Sequence, residues 1–183
     1  MIYLTGASGY LGQHILRLGG RDIVPVPRDQ YEMVTGQCVI HAGWPMPPAS
    51  QWGAPRLASL LVRSEPRFVL YVSTTATRSQ YAQVKHSVEA GLLKYLPLPG
   101  PGIIRFPGLY GPPRRSGLMY NATRAMLRGE SFLPDQPLPD WTGMRVEKAA
   151  QLCLDLARAE QPGLTIARDE EFEEWLTFCR ASS

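Results

Sequence analysis

The chain has 183 residues, a length that fits one globular domain or one domain with a small appendage. Its hydrophobic fraction of 44% is enough for a packed core, and its 17 glycines and 17 prolines are scattered, which excludes a fibrous or disordered class. A net charge of +3 is too small to indicate a nucleic-acid-binding protein. No apolar run approaches the roughly 18 residues of a membrane span, so we expect no membrane partner.

The first part of the chain alternates short apolar runs with amphipathic segments, which is the signature of βαβ units and a parallel sheet. The predicted strands, in chain order, are IYLTGA, DIVPVPR, CVIHAG, RFVLYVST and GIIRFPGLYGP. Helices are predicted between them at GYLGQHILRLG, APRLASLLVRS and QYAQVKHSVEAGLLKYL. Pro25 and Pro27 are poorly suited to a central strand, so we expect the second strand to be edge-like or irregular.

The pattern loosens beyond Arg114. Helices are predicted at GLMYNATRAMLRGE, VEKAAQLCLDLARAE and EEFEEWLTFCRA, and a short strand at LTIARD. The sequence therefore predicts an α/β fold with a sheet domain over residues 1–111 and a small C-terminal helical lobe over residues 112–183 that carries the substrate side. We expect the two parts to form one compact unit.

A glycine-rich turn follows the first strand, where TGASGYLG places Gly6, Gly9 and Gly12 at a GxxGxxG spacing. Dinucleotide binding needs a tight turn, close approach of the backbone to the pyrophosphate, and a helix packed on its strand. The N–H groups and the dipole at the start of the helix also favour phosphate. Because the turn joins an apolar strand to a periodic helix, we favour dinucleotide binding over a chance glycine spacing. The predicted cofactor site also includes Ser8, Tyr10 and Leu11.

The end of the second strand bears on the choice of cofactor. Where an acidic residue would bind the ribose 2′-hydroxyl of NAD(H), the sequence reads VPVPRD, with Arg28 first and Asp29 after it. An arginine at this place accommodates the 2′-phosphate of NADP(H). We therefore expect NADP(H) to be preferred, with NAD(H) as the alternative cofactor. The alternative interpretation of Arg28 is an ordinary surface arginine.

A tyrosine and a lysine lie four positions apart in YAQVK, Tyr81 to Lys85, soon after a strand that ends in STT. Positions i and i+4 of a helix share a face, so both side chains can point to the carboxyl edge of the sheet, where open α/β sheets bind ligands. A nearby ammonium would stabilise the phenolate and lower the tyrosine pKa. Together with a Ser or Thr hydroxyl, the pair suits carbonyl reduction or its reverse. Taken alone, the pair could equally be one stripe on a helix.

Five motifs in this order resemble the extended short-chain dehydrogenase/reductase family, of the NAD-dependent epimerase/dehydratase type: TGASGYLG, VIHAG, YVSTTAT, YAQVK and IIRFPGLYGP. The resemblance spans most of the chain. It implies a Rossmann-like, doubly wound parallel sheet with the cofactor across its strand ends. It also implies an oxidoreductase or epimerase that moves hydride to or from a carbonyl or secondary alcohol, including that of a sugar, and helices that pair two subunits into a homodimer.

The resemblance also assigns roles to single residues. Thr75 would be the catalytic hydroxyl, Tyr81 the acid/base, and Lys85 the partner of Tyr81 and a cofactor ligand. The other residues expected to line the cofactor are Ala42, Gly43, Ser73, Pro107, Gly108 and Leu109.

The chain departs from this family chiefly by being short. Little room is left between VPVPRDQYE and CVIHAG for a further helix and strand, and only ATRSQ separates Thr75 from Tyr81, where relatives carry a longer substrate-facing loop. Two asparagines common in the family have no counterpart in APRLASLLVRS or RFPGLYGP. A size-reduced enzyme is therefore one hypothesis. A non-catalytic NADP(H)-binding sensor or scaffold protein with a degenerate substrate site is the other.

The remaining polar, aromatic and sulfur-containing residues are weaker candidates. The three cysteines form no CxxC pair and are interpreted as apolar residues of a cytoplasmic protein, and the three histidines lack the spacing of metal ligands, so no metal is predicted. His41 is expected to pack within its strand. Arg114 and Arg115 would either bind an anionic group or lie on the surface. A pocket mouth, a lid and an interface are equal alternatives for Trp44, Met46 and Trp52.

Overall fold

A computed structural model gives the fold, and it describes residues 1–27, 30–43, 59, 61–96, 99–113, 118–132 and 142–181. Short 3-10 helices occur at Gly20–Asp22 and Tyr31–Val34. The strands and α-helices in these ranges are β1 (Ile2–Thr5), α1 (Tyr10–Gly19), β2 (Ile23–Val26), β3 (Cys38–His41), β4 (Phe68–Thr74), α2 (Gln80–Tyr95), β5 (Gly102–Phe106), β6 (Gly108–Tyr110), α3 (Leu118–Arg128), β7 (Gly143–Arg145), α4 (Val146–Arg158), β8 (Gly163–Ile166) and α5 (Glu170–Ala181).

The main sheet is parallel throughout and has the strand order β2-β1-β3-β4-β5-β8. Helices α1 and α4 pack on one of its faces, where Ile15 and Leu154 join the largest apolar core. Helix α2 packs on the other face, with Val88 and Leu92 against Val69. The expected α/β fold with a doubly wound parallel sheet is thereby confirmed.

Strand β2 lies at one edge of this sheet, as its prolines indicated. Pro25 is inside β2 and faces Leu4 of β1 in the register. Because proline has no N–H to donate, a central position between two strands would leave a hydrogen bond unmade. In the described part of the chain no strand follows beyond β2, which agrees with the short segment between β2 and β3.

A second, two-stranded sheet is formed by β6 and β7, which also run parallel. The expected single strand GIIRFPGLYGP is therefore two strands, because the chain passes from one sheet to the other at Pro107. A separate apolar cluster packs beside the small sheet and includes Tyr110 of β6, Ala122 of α3, and Phe172 and Trp175 of α5.

The part of the chain beyond Gly111 is shared between the two sheets. Helix α4 packs against α1, and β8 completes the main sheet beside β5. The division into residues 1–111 and 112–183 stays a prediction, since the main sheet takes elements from both sides of it. None of the helices in the described ranges combines the length and the apolarity needed to cross a bilayer.

Candidate functional site

The turn between β1 and α1 is closed by contacts between glycine backbones. Gly6 has a φ of +78°, and its carbonyl accepts a hydrogen bond of 2.9 Å from the Gly9 N–H. A Cβ on Gly6 would lie 2.3 Å from the backbone of Gly43, and a Cβ on Gly12 would lie 2.1 Å from the Gly6 oxygen. Both overlaps are with backbone atoms, so side chains are excluded there. The turn has the close backbone approach that a dinucleotide site requires.

The beginning of α1 has neither a capping side chain nor an acidic residue. Gly9 precedes the helix in an extended conformation without a side-chain cap, and the first turn contains no acidic residue. Ser8 is exposed beside it, whereas the Leu11 side chain is buried in the main core. Because the helix dipole is positive at this end, the site suits an anion such as a phosphate.

Tyr10 connects the same helix to the end of β6. Its hydroxyl donates a hydrogen bond of 2.7 Å to the carbonyl of Gly111, and one turn later His14 Nε2 lies 2.9 Å from the carbonyl of Pro112. The expected cofactor residue Tyr10 therefore has a structural bond in this arrangement.

The end of β3 lies directly against the glycine turn. The Ala42 N–H donates a hydrogen bond of 3.1 Å to the Thr5 carbonyl, and Gly43 approaches Gly6 as described above. His41 is buried, shares a hydrogen bond with the Thr5 hydroxyl and stacks on Tyr71. Burial, followed by the Lys85 charge, lowers the pKa of His41 to about 3, so the ring is neutral at physiological pH. As expected, this histidine packs within its strand.

The end of β4 carries the hydroxyl groups singled out in the sequence. Ser73 is buried, and its hydroxyl has no hydrogen-bond partner among the described residues; the same holds for the Tyr71 hydroxyl on the same face of the strand. The Thr75 N–H donates a hydrogen bond of 2.9 Å to the Phe106 carbonyl, and the Thr75 hydroxyl lies 3.5 Å from the same oxygen. Buried hydroxyls normally have a partner, so Ser73 Oγ fits a ligand hydroxyl.

Lys85 is only 2% exposed, and its ammonium donates a hydrogen bond of 2.5 Å to the carbonyl of Val72. Nζ lies 5.2 Å from the ring centroid of Tyr71 and 5.6 Å from that of Tyr81. Burial lowers the pKa of Lys85 to about 7, and the Glu89 carboxylate opposes this effect. The lysine is therefore held between two tyrosine rings and the strand, close to its titration point at neutral pH.

Tyr81 corrects one sequence-based expectation. Its side chain is 47% exposed at the start of α2, and desolvation raises the pKa of its phenol. We expected the Lys85 charge to lower that pKa. That expectation is wrong for this arrangement, because the ammonium lies over the ring and bonds to the Val72 carbonyl, so desolvation decides the direction.

A buried ion pair beside Lys85 was missed in the sequence. Glu89 is 4% exposed and accepts three hydrogen bonds from Arg105 on β5, at 3.1, 3.1 and 2.5 Å. His86 Nε2 donates to the Thr74 carbonyl at 3.0 Å and lies 4.0 Å from Glu89. The signal was present: Glu89 follows Lys85 by four positions and so shares its helix face.

The residues around Pro107 lie between the two sheets. The Gly108 N–H donates a hydrogen bond of 3.2 Å to the Thr142 carbonyl, and a Cβ on Gly108 would lie 2.9 Å from the sulfur of Met119. Pro107 is buried, and Leu109 packs against the main core. Their approach to a cofactor stays a prediction. Several further candidates lie outside the described residues, namely Arg28, Trp44, Met46, Trp52, Arg114 and Arg115.

Comparison with known proteins identifies the fold. No protein-family model matches the sequence, and no curated protein does. The solved structure of UDP-N-acetylglucosamine 4-epimerase from Bacillus cereus matches with a TM-score of 0.63 and 19% identity, over 91% of this chain and 76% of that one. That of dTDP-4-dehydrorhamnose reductase from Bacillus anthracis, in complex with NADP, matches with a TM-score of 0.66 and 15% identity, over 98% and 80%.

The chain spans a little over half the length of another structural neighbour. The capsular polysaccharide assembling protein CapF from Staphylococcus aureus matches 98% of this chain with a TM-score of 0.62 and 15% identity, but the match spans only 58% of CapF. At these identities the comparisons establish the fold. The chain has the Rossmann-like fold of the epimerases and reductases that its sequence motifs resemble.

Proposed function

We propose that the protein binds a nicotinamide dinucleotide, NADP(H) in preference to NAD(H), and transfers hydride between it and a carbonyl or secondary alcohol of a small molecule. One observation carries the proposal. Strands β1, β3 and β4 are parallel neighbours, so the Gly6 turn, Gly43 and Thr75 follow three strand ends at the same edge of the sheet. This edge is where open α/β sheets bind ligands.

The residues at this edge fit a dinucleotide. The turn from Gly6 to Gly12 and the start of α1 would hold the pyrophosphate, because Gly6 and Gly12 leave no room for side chains there and the first turn of α1 has no acidic residue. The buried hydroxyl of Ser73 and the ammonium of Lys85 would hold a ribose. When bound, the cofactor supplies the hydride, which this chain's own side chains cannot provide.

Tyr81 is suited to donate a proton to a carbonyl oxygen. A phenol is protonated at neutral pH, and the raised pKa of Tyr81 leaves it so, which allows proton donation in the direction of reduction. The Thr75 hydroxyl lies 3.5 Å from the Phe106 carbonyl, longer than a normal O–H···O bond, so it can turn to a substrate oxygen instead. The roles of Thr75 and Tyr81 are thus to hold the carbonyl and to protonate it.

A non-catalytic NADP(H)-binding sensor or scaffold is the second candidate. It is favoured by the bond of the Lys85 ammonium to the Val72 backbone and by the short segment between Thr75 and Tyr81. The bond gives Lys85 a structural role that needs no catalysis, and the short segment leaves little protein to select a substrate.

Fluorescence titration with NADPH and NADH tests the binding, and NADPH oxidation with a panel of carbonyl compounds tests the chemistry. We expect Tyr81→Phe to keep NADPH binding and to lower turnover by roughly 100-fold or more, as loss of a general acid does. Tyr95→Phe is the matched control, because Tyr95 is an exposed tyrosine at the other end of α2. Turnover unchanged in Tyr81→Phe would favour the sensor, and absence of any dinucleotide binding would refute both candidates.

Cofactor preference rests on the sequence at Arg28. We expect Arg28→Ala to weaken NADPH binding and to leave NADH binding unchanged, because only NADPH carries the 2′-phosphate. Arg21→Ala, at an exposed arginine just before β2, is the control. Equal loss of both affinities in Arg28→Ala would argue against a phosphate contact.

A further inference from the structure

Glu89 is a buried carboxylate with no role in the proposed reaction. It lies one helical turn after Lys85 on the buried face of α2, and its residue is 4% exposed. An ionised carboxylate at such depth is costly unless it is paired. A carboxylate at this position therefore needs a cationic partner.

Arg105 pairs with Glu89 from the neighbouring strand. Its Nε lies 3.1 Å from each carboxylate oxygen, and its Nη2 lies 2.5 Å from Oε2. Arg105 faces Ser73 in the register between β4 and β5, so the guanidinium comes from directly beside the strand that ends in the candidate hydroxyls. Its side chain is partly exposed and keeps some hydration, while that of Glu89 is buried. The pair fixes the carboxylate in place on the Lys85 side of the sheet.

The groups around Lys85 come from three strands and from its own helix. Tyr71 on β4 and Tyr81 on α2 present their rings to the ammonium, and His41 on β3 stacks behind Tyr71 as a neutral imidazole. Arg105 on β5 is a cation, and His86 lies within 4.0 Å of Glu89. The Glu89 carboxylate lies one helical turn from Lys85 on the same buried face and favours its charged form, as the hydrogen bond to the Val72 carbonyl also does.

We propose that Glu89, fixed by Arg105, is a positioning residue that favours the ammonium form of Lys85 beside the end of β4. The proposal deepens the proposed function and rests on it, since the ammonium is the form that would hold the ribose. Arg105 acts in the opposite direction, because its charge offsets part of the Glu89 charge. Glu89 should therefore raise the pKa of Lys85, and Arg105 should lower it.

The titration of Lys85 can be observed directly. The chain has only three lysines, Lys85, Lys94 and Lys148, so selective ¹⁵N or ¹³C labelling of lysine gives three NMR signals that Lys→Arg variants assign. We expect Glu89→Gln to lower the Lys85 pKa by about one unit and Arg105→Gln to raise it by a similar amount. The pH at which NADPH binding weakens should move in the same direction in each variant.

Glu171→Gln is the matched control, because Glu171 pairs with Lys148 at 3.0 Å on the surface. It should affect the Lys148 signal alone. If the ion pair had only a structural role, Glu89→Gln and Arg105→Gln would change the Lys85 pKa in the same way, because each breaks the same pair. Shifts of the same sign, or no shift in either variant, would overturn the proposal. If Glu89→Gln does not fold, the upward shift in Arg105→Gln decides alone, because Arg105 is partly exposed.

The same samples separate this proposal from the proposed function. If wild-type protein binds NADPH and the Lys85 signal does not respond to either variant, only the role of Glu89 is wrong. If no dinucleotide binds but the two opposite shifts appear, the electrostatic role of Glu89 stands and the cofactor site is wrong.

Discussion

The ammonium of Lys85 donates a buried hydrogen bond, 2.5 Å long, to the carbonyl of Val72 on β4. The bond ties α2 to β4 just before the strand ends at the candidate hydroxyls. It also places a positive charge where only 2% of the residue meets solvent. The buried ammonium is held in one position, and its desolvation lowers the stability of the folded protein. The two effects can be measured separately.

The pH dependence of stability should report the buried lysine. The pKa of Lys85 is about 7 in the folded protein and 10.5 in the unfolded chain, so between these values the unfolded chain binds more protons. Wild-type stability should therefore rise with pH relative to Lys85→Met, by up to about 1.4 kcal/mol per pH unit from pH 7 to 9. Urea unfolding at each pH measures the difference.

Lys94→Met serves as the control for that experiment, because Lys94 is exposed on the same helix. Its stability difference from wild type should stay constant over the range. A constant difference in Lys85→Met as well would mean that the folded lysine titrates at its ordinary pKa.

Gly6→Ala should damage both stability and cofactor binding. Gly6 has a φ of +78° and would place its new Cβ 2.3 Å from the Gly43 backbone, whereas Gly36 has a φ of +69° with no atom within 4 Å. Gly36→Ala should cost only the left-handed backbone, about 1–2 kcal/mol. Gly6→Ala should cost at least twice as much and abolish NADPH binding, measured by unfolding and by fluorescence titration. Equal costs would show that the turn can open away from Gly43.

Asp169→Asn should destabilise the small sheet and α5. Asp169 is 3% exposed and accepts hydrogen bonds from Lys148 at 2.8 Å, from the Arg145 N–H at 3.1 Å and from the Tyr110 hydroxyl at 3.4 Å. Removing the charge weakens these bonds, and the NH₂ group that replaces one oxygen faces at least one of the donors, for which we expect a loss of about 1–3 kcal/mol in the free energy of unfolding. Glu171→Gln, with a side chain 55% exposed, should change it by less than about 1 kcal/mol. A similar small change in Asp169→Asn would contradict its role as a buried acceptor for both elements.

The features that depend on neighbouring residues along the chain could be predicted from the sequence. Alternating apolar runs and amphipathic segments predicted the parallel sheet, and the prolines of β2 predicted an edge strand because proline cannot donate from its backbone. The glycine spacing predicted a turn without side chains, which the contact between Gly6 and Gly43 now explains. Each of these predictions follows from local periodicity or from the chemistry of a single residue.

The ion pairing and the pKa shifts of the site depend on the tertiary structure. The register of β4 and β5 places Arg105 beside Ser73, and α2 then brings Glu89 to Arg105 across sixteen positions in sequence. Burial cannot be read from neighbouring residues alone, so we predicted a lowered pKa for Tyr81, whereas desolvation raises it. Desolvation and pairing depend on which elements cover a side chain, and that is settled when the sheet and its helices pack together.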